Sequence, residues 1–171
     1  MANVVLVVDM VKGFLEQGYN LYCGDEARQI IPAIRALLEE QKKQGSSIIF
    51  LCDNHEIDDA EFKIFPVHCV KGTEETQIIE ELRGYSDETI YKRRYSAFFD
   101  TCLEHRLSQT APDKLIICGV CTDICVLHTV ADARNRDYSV DVRSDTVASF
   151  DIYAHENALI HMRKILGANV I

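Results

Sequence analysis

The sequence predicts an α/β protein, a three-layer α/β/α sandwich built on a mostly parallel sheet. Three observations carry this expectation. Short runs such as "NVVLVVD" and "SSIIFLCD" are apolar at nearly every position, as strands buried on both faces must be. The segments between such runs set apolar residues at helical spacing. The two kinds of segment alternate along 171 residues, the pattern of parallel strands joined by crossover helices.

The elements follow in chain order. "NVVLVVD" is the first strand and ends in Asp9. From Asp25 to Gln44, "DEARQIIPAIRALLEEQKKQ" places Ile30, Ile34, Leu37 and Leu38 on one face, with an acidic start, a basic end and a Gly45 stop. "SSIIFLCD" is the second strand, again ending in an acid. "ETQIIEELR" is expected as a short helix, "ETIYKR" as a strand and "FFDTCLEHRLSQ" as a helix. "DKLIICG" is a strand, followed by a helix from about Thr122 to Arg136. "YSVDVRSD", "YAHENALIHMRKIL" and "GANVI" complete the chain as strand, helix and strand. The least regular stretch, 53–73, is rich in charged, histidine and aromatic residues. A long loop inside a compact domain is usually functional. In an open α/β sheet, ligands bind beyond the carboxyl ends of the strands. Asp9, Asp53, the region of Lys92 and the stretch Gly119–Cys125 all follow strands, so they are expected to converge on one edge.

The bulk numbers set bounds. The length fits one domain, 1–171, with a sizeable core. A net charge of −9 without a lysine or arginine run argues against nucleic acid or an anionic membrane as partner. The N-terminal run "VVLVV" is too short to span a membrane and lacks the shape of a signal peptide. A cytoplasmic location is the resulting expectation. Seven cysteines, an odd number at irregular spacing, are then read as reduced and mostly buried.

Three of those cysteines crowd "CGVCTDICV". A zinc knuckle wants two Cys-x-x-Cys pairs, and only Cys118 and Cys121 form one. A redox pair starts a helix, whereas Cys118 falls inside an apolar strand. Cys125 lies in the first turn of a predicted helix, where backbone N–H groups and the helix dipole favour a thiolate. The residues alone leave two readings of it open: a nucleophile on a strand–turn–helix elbow, or a buried helical cysteine.

The wider strings carry a family resemblance. "GVCTDICVLHTVADA" resembles the nucleophile motif of the isochorismatase-like cysteine hydrolases, and "KRRYSAF" their lysine motif. Asp9 followed by Phe14 resembles their first motif, and "DNHEIDDAEFKIFPVHCVKGT" resembles the metal loop of the nicotinamidases within that superfamily. The likeness covers essentially the whole chain, with the motifs in matching order, and implies the superfamily's Rossmann-like topology. It implies a catalytic triad of Asp9, Lys92 and Cys125. It also implies an oxyanion hole from the backbone N–H groups of Cys121 and Cys125, with a cis Val120–Cys121 peptide before it. Cys121 then contributes backbone rather than sulfur. Metal ligands Asp53, His55, Glu61 and His68 and aromatic walls Phe14, Phe65 and Tyr95 follow from the same likeness. Three departures stand out: Lys12 and Gly13 where the family often has Asn-Asp, Val67 where a second proline usually precedes the histidine, and a short stretch between Leu82 and Thr89.

The chemistry suits these residue types. Amide hydrolysis through cysteine needs a thiolate, a proton for departing ammonia and a site for the tetrahedral oxyanion. Asp9 would shuttle the proton while Lys92 holds it in place. Asp53 and His55 lie two apart just past a strand, so both can turn toward one ion; Glu61 and His68 close the set, with Glu56, Asp58 and Asp59 as local rivals of Glu61. Imidazole and carboxylate together suit Zn²⁺ first, with Fe²⁺ or Mn²⁺ as alternatives. His105, His128, His155 and His161 are given no role beyond surface or packing. The expected function is a metal-dependent nicotinamidase in NAD salvage, active on nicotinamide and its isostere pyrazinamide and associating as a homo-oligomer. Its rivals are a metal-independent small-amide hydrolase of the same superfamily and a non-enzymatic thiol sensor or metal-binding protein. The isochorismatase reaction is disfavoured by the Asp-x-His metal loop.

Overall fold

The computed structural model of the chain describes residues 3–171. The strands are β1 Val4–Val8, β2 Ser47–Asp53, β3 Glu88–Lys92, β4 Leu115–Val120, β5 Val140–Val142, β6 Val147–Ala148 and β7 Asn169–Val170. They form one sheet in the order β3-β2-β1-β4-β5-β7, with β6 paired to the end of β4. All six strand pairings are parallel. Every residue of β1 and β4 is buried, as their unbroken apolar sequence requires.

Helices cover both faces and complete the three layers. On one side lie α1 Lys12–Leu15, α2 Asp25–Arg28 and α3 Ile31–Lys43. They pack Phe14, Ile34 and Leu38 against Val5, Val7, Ile48 and Phe50. On the other lie α4 Leu103–Thr110, α5 Leu127–Arg134 and α6 Ile152–Lys164. Leu103, Val130 and Met162 from these helices meet Leu6, Val8, Leu51 and Ile117. Odd and even positions of one strand thus feed two separate cores.

Several elements differ from the sequence expectation. "ETQIIEELR" is not a helix: two short 3-10 turns, Glu74–Thr76 and Arg83–Tyr85, flank an isolated bridge at Ile78 and a turn over 80–82. The reason is tertiary. Lys12 donates its N–H to Gln77 O (2.9 Å) and Ile79 donates to Met10 O (3.1 Å), while Ile79 and Leu82 are fully buried. The helix expected over 25–44 is split, because Pro32 in the first turn of α3 has no N–H to continue the ladder. The helix expected from Phe98 begins only at Leu103, after Asp100 adopts φ +54°. The strand expected over 138–145 shortens to Val140–Val142, and β6 follows it unforeseen. Six cysteines are buried as expected, but Cys102 is exposed.

The register positions the site. Val8 sits opposite Leu51 of β2 and Gly119 of β4, and Asp53 opposite Lys92 of β3. Strand order reverses between β1 and β4, and the crevice at such a switch point is where open α/β sheets bind ligands. Two glycines make close approaches there. At Gly13 a Cβ would come 2.7 Å from Cys69 Sγ and 3.2 Å from Glu75 Oε2. Gly119 has φ +115°, and a Cβ on it would lie 2.0 Å from Val8 O, inside the sheet itself. Gly119→Ala should therefore cost about 3 kcal/mol or more through backbone strain and overlap. The expected readout is a fall of roughly 6–12 °C in Tm for a domain of this size; a wild-type Tm would contradict the close approach.

Candidate active site

The sheet edge carries a buried ionic triplet. Lys92, at the end of β3, is 2% exposed and points between two acids. Its Nζ lies 2.8 Å from Asp9 Oδ2 and 2.5 Å from Asp53 Oδ1. It also lies 3.3 Å from the Arg94 carbonyl and 3.5 Å from Cys125 Sγ. Asp9 follows β1 with φ +51°, a conformation that Asp tolerates better than most residues. Its own N–H donates to Leu51 O (2.8 Å) and its Oδ1 accepts from Asp53 N (2.9 Å). Asp9 Oδ2 is close to Lys92 yet accepts no well-aligned hydrogen bond.

Burial sorts the protonation states. It lifts the Asp9 carboxyl to about 7, with the Asp53 carboxylate adding to the push and Lys92 opposing it. Burial acts the same way on Asp53, but Lys92 and His55 outweigh it and hold that group at about 2. Desolvation opposes the charge on Lys92, and the two carboxylates overcome it, so the amine stays well above its usual range. The Cys125 thiol is pushed well above its ordinary value by burial, while Lys92 pulls it back. Asp9 is thus the acid of the triplet whose proton affinity suits exchange near neutrality.

Cys125 is set by an unusual turn. After β4, residues Thr122–Val126 form one turn of π-helix that runs into α5. Val126 donates its N–H to Cys121 O (3.1 Å), five residues back, and Ile124 donates to the same carbonyl (3.1 Å). Wide turns of this kind recur at functional positions. The Val120–Cys121 peptide is cis. Cys121 turns its sulfur away from the triplet, 3.6 Å from Cys23 Sγ on the α1–α3 side. Thr122 is held by His155, whose Nδ1 is 2.8 Å from the hydroxyl oxygen.

Beside the triplet stands a second cluster. Asp53, His55 and His68 each bring one ligand atom within 4.8 Å of the others, and all three are buried. Asp53 belongs to both groups: Oδ1 faces Lys92, and Oδ2 faces His55 Nε2 (3.6 Å) and His68 Nε2 (3.9 Å). His68 Nδ1 donates to Pro66 O (2.7 Å), which leaves Nε2 free to face the cluster. Glu61 Oε1 lies at its margin, 3.9 Å from His68 Nε2. His55 Nε2 is buried and without a hydrogen-bond partner. An orphaned imidazole nitrogen facing a carboxylate and a second imidazole fits a divalent transition ion.

A narrow cleft opens over both groups, bordered by Asp9, Cys125, Asp53 and His68. Phe14, Phe65 and Tyr95 all line it. Phe65 meets Tyr95 edge-on at 6.5 Å between centroids, and Phe14 lies 5.7 Å from the His68 ring. Of the site residues named from the sequence, Asp9, Asp53, Glu61, His68, Cys121 and Cys125 line this cleft together with the three aromatic residues, whereas Lys92 and His55 are buried and do not line it. Others went unnamed. Phe62 packs against both His55 and His68 at 5.4 Å. Leu21, Ile124 and Phe150 complete the walls. Asp59 and Arg94 stand behind His55. Of these, the sequence marks only Asp59, as a rival of Glu61 for the ion. Loop residues such as these carry no periodic signal, so spacing alone does not find them.

Comparison with known proteins identifies the family and supports the fold. The isochorismatase domain family model matches residues 3–171. The isochorismatase family protein PncA of Bacillus subtilis (strain 168) is 35% identical over 181 residues, covering 99% of both chains. The crystal structure of a pyrazinamidase/nicotinamidase from Streptococcus mutans UA159 superposes with a TM-score of 0.93 at 33% identity, over 99% of this chain and 100% of that one. A pyrazinamidase of Pyrococcus horikoshii, solved in complex with zinc, gives 0.92 at 27% identity, over 100% and 99%.

The triplet makes a prediction. Lys92→Met would leave Asp9 and Asp53 buried against one another without their shared cation, and should cost about 3–5 kcal/mol in urea unfolding at pH 7. The deficit should narrow as the pH falls. Without Lys92 to oppose them, Asp9 and Asp53 in the folded variant bind protons at higher pH than in the folded wild type, where they stand at about 7 and about 2, so acid favours the variant relative to wild type. A deficit that widens toward acid would be inconsistent with the pairing.

Proposed function

The chain belongs to the isochorismatase family, and on that premise we propose that it is a nicotinamidase, hydrolysing nicotinamide to nicotinate and ammonia through a thioester on Cys125. One observation carries the reading. A buried thiol beside a Lys92-bridged carboxylate pair shares a cleft, and one aspartate, with an Asp53–His55–His68 cluster. The solved relatives named for nicotinamide and pyrazinamide hydrolysis support it.

In the proposed mechanism the flat pyridine ring enters between Phe14, Phe65 and Tyr95, and the carboxamide carbon comes to rest over Cys125. Asp9 takes the thiol proton as sulfur adds to the carbonyl carbon, and Lys92 stabilises the developing thiolate 3.5 Å away. The oxygen of the tetrahedral adduct is received by the backbone N–H groups of Cys121 and Cys125. The adduct collapses, the C–N bond breaks, and Asp9 returns its proton to the nitrogen, releasing ammonia. Water then adds to the thioester as Asp9 takes one of its protons. The C–S bond breaks, the sulfur recovers the proton, and nicotinate departs. A divalent ion, Zn²⁺ first among the choices, would be held by Asp53, His55, His68 and Glu61 and would supply a Lewis-acid anchor for the ring nitrogen.

The same reading extends to pyrazinamide, to a place in NAD salvage in the cytoplasm, and to a homo-oligomer. No helix among the described residues is long and apolar enough to cross a membrane.

The deciding measurement is ammonia release from nicotinamide before and after chelation. Activity should vanish with the chelator and return with Zn²⁺, Mn²⁺ or Fe²⁺. Activity indifferent to demetallation would select a metal-independent amidase; no ammonia under any condition would overturn the nicotinamidase reading and leave a hydrolase of another small amide or a thiol sensor or metal-binding protein. Cys125→Ala should reduce turnover by on the order of 10³-fold or more while binding the ion as well as wild type. Near-normal turnover would remove Cys125 from the mechanism. His55→Ala should lose ion and turnover together.

A further inference from the structure

His55 is held from behind by a carboxylate to which the reaction above gives no part. Asp59 is almost enclosed, its side chain only 4% exposed. Its four short contacts use both oxygens. Oδ2 lies 3.2 Å from His55 Nδ1 and 3.0 Å from Arg94 Nη1. Oδ1 accepts from Arg94 Nη1 (2.8 Å) and from the backbone N–H of Glu61 (2.9 Å). Neither oxygen is left to face the cleft, so Asp59 is placed as a support and not as a rival to Glu61. Arg94 reaches further along the loop, 4.0 Å from Glu61 Oε2. Its side chain is 30% exposed, at the rim.

We propose that Asp59 and Arg94 are positioning residues for the metal cluster: Asp59 fixes the His55 ring with Nδ1 protonated and Nε2 aimed at Asp53 and His68, and Arg94 locks Asp59 in that role. The argument is one of donors and acceptors. Ionised Asp59 has no proton to give, so the bond to His55 requires hydrogen on Nδ1. In the neutral ring that leaves the lone pair on Nε2, the buried atom with no partner. The opposite tautomer would set two acceptors against one another at Nδ1 and turn N–H toward the ion. The same carboxylate caps the 3-10 turn Ala60–Lys63 that carries Glu61. One side chain therefore orients two of the four candidate ligands, although it touches neither substrate nor ion. Outer carboxylates behind ligating histidines commonly change metal affinity ~10–100-fold when removed.

This inference rests on the metal reading of the cluster, and the test separates the two. Zn²⁺ affinity is measured by competition with a chromophoric chelator for wild type, Asp59→Asn and Arg94→Gln. The ¹⁵N shifts of the His55 ring nitrogens are recorded in the metal-free proteins. Asp59→Asn should weaken Zn²⁺ binding ~10–100-fold and raise the share of the Nε2–H tautomer; Arg94→Gln should move both readouts the same way by less. Metal-free Tm values report whether each variant folds. If Asp59→Asn does not, Arg94→Gln, which keeps the carboxylate, decides. A wild type that binds Zn²⁺ tightly, with folded variants equal to it in affinity and tautomer, overturns the positioning role alone. A wild type that binds no Zn²⁺ overturns the metal reading and this role with it.

Discussion

The ammonium group of Lys92 is what the rest of the site depends on. Burying a lone charge in a protein interior costs several kcal/mol, and two neighbouring carboxylates would cost more still. Asp9 and Asp53 are tolerable beneath the cleft because Lys92 Nζ touches both. The register of β2 and β3, with Asp53 level with Lys92, enforces that contact. The arrangement is also asymmetric. Asp53 is further supported by His55 and stays ionised, whereas Asp9 keeps one oxygen without a well-aligned donor and binds its proton far more readily. A single cation thus produces two carboxylates of different character, a fixed anion on the histidine side and a proton acceptor on the sulfur side.

Much of this was legible in the sequence, for physical reasons. A parallel strand covered on both faces has no polar positions to spare, so "VVLVV" and "LIIC" announce themselves, and the residues just past their ends are topologically bound to meet. The convergence of Asp9, Asp53, the region of Lys92 and the stretch Gly119–Cys125 follows from that argument, whereas the roles of Lys92 and Cys125 follow from the family resemblance. The structure brings them together as that argument requires. Segments whose conformation is decided by distant partners were harder. Ile78 and Ile79 have helical spacing with their neighbours, but their backbone pairs with Met10–Lys12 and their side chains fill the core beneath it. Local propensity yields to such contacts. The break at Pro32 did have a local signal in the missing N–H. The supports of the histidine cluster had none: Arg94 lies two residues past Lys92, in the middle of a motif, and nothing in the spacing says that it reaches back across the loop to Asp59.

The turn after β4 shows how backbone and chemistry are joined. Gly119 allows β4 to press directly on Val8, and the π-turn that follows swings Cys125 over the end of β3 while Cys121 is directed to the opposite side of the sheet. Three cysteines within eight positions thereby have separate surroundings. Cys118 is in the core against Leu6, Cys121 is against Cys23, and Cys125 is at Lys92. Crowding in sequence says little about crowding in space when a strand, a tight turn and a wide helical turn follow one another.

Gly13 has a consequence of a different kind. The space that a side chain would need there is already filled by the sulfur of Cys69 and the carboxylate of Glu75, which also accepts the Cys69 N–H at 3.0 Å. A larger residue at position 13 would collide with both unless they retreated. The two segments are therefore locked in sequence as well as in space: their substitutions are epistatic. A side chain at position 13 could be accommodated only through paired changes at 13 and at 69 or 75, so a substitution made there alone would supply a part without its socket.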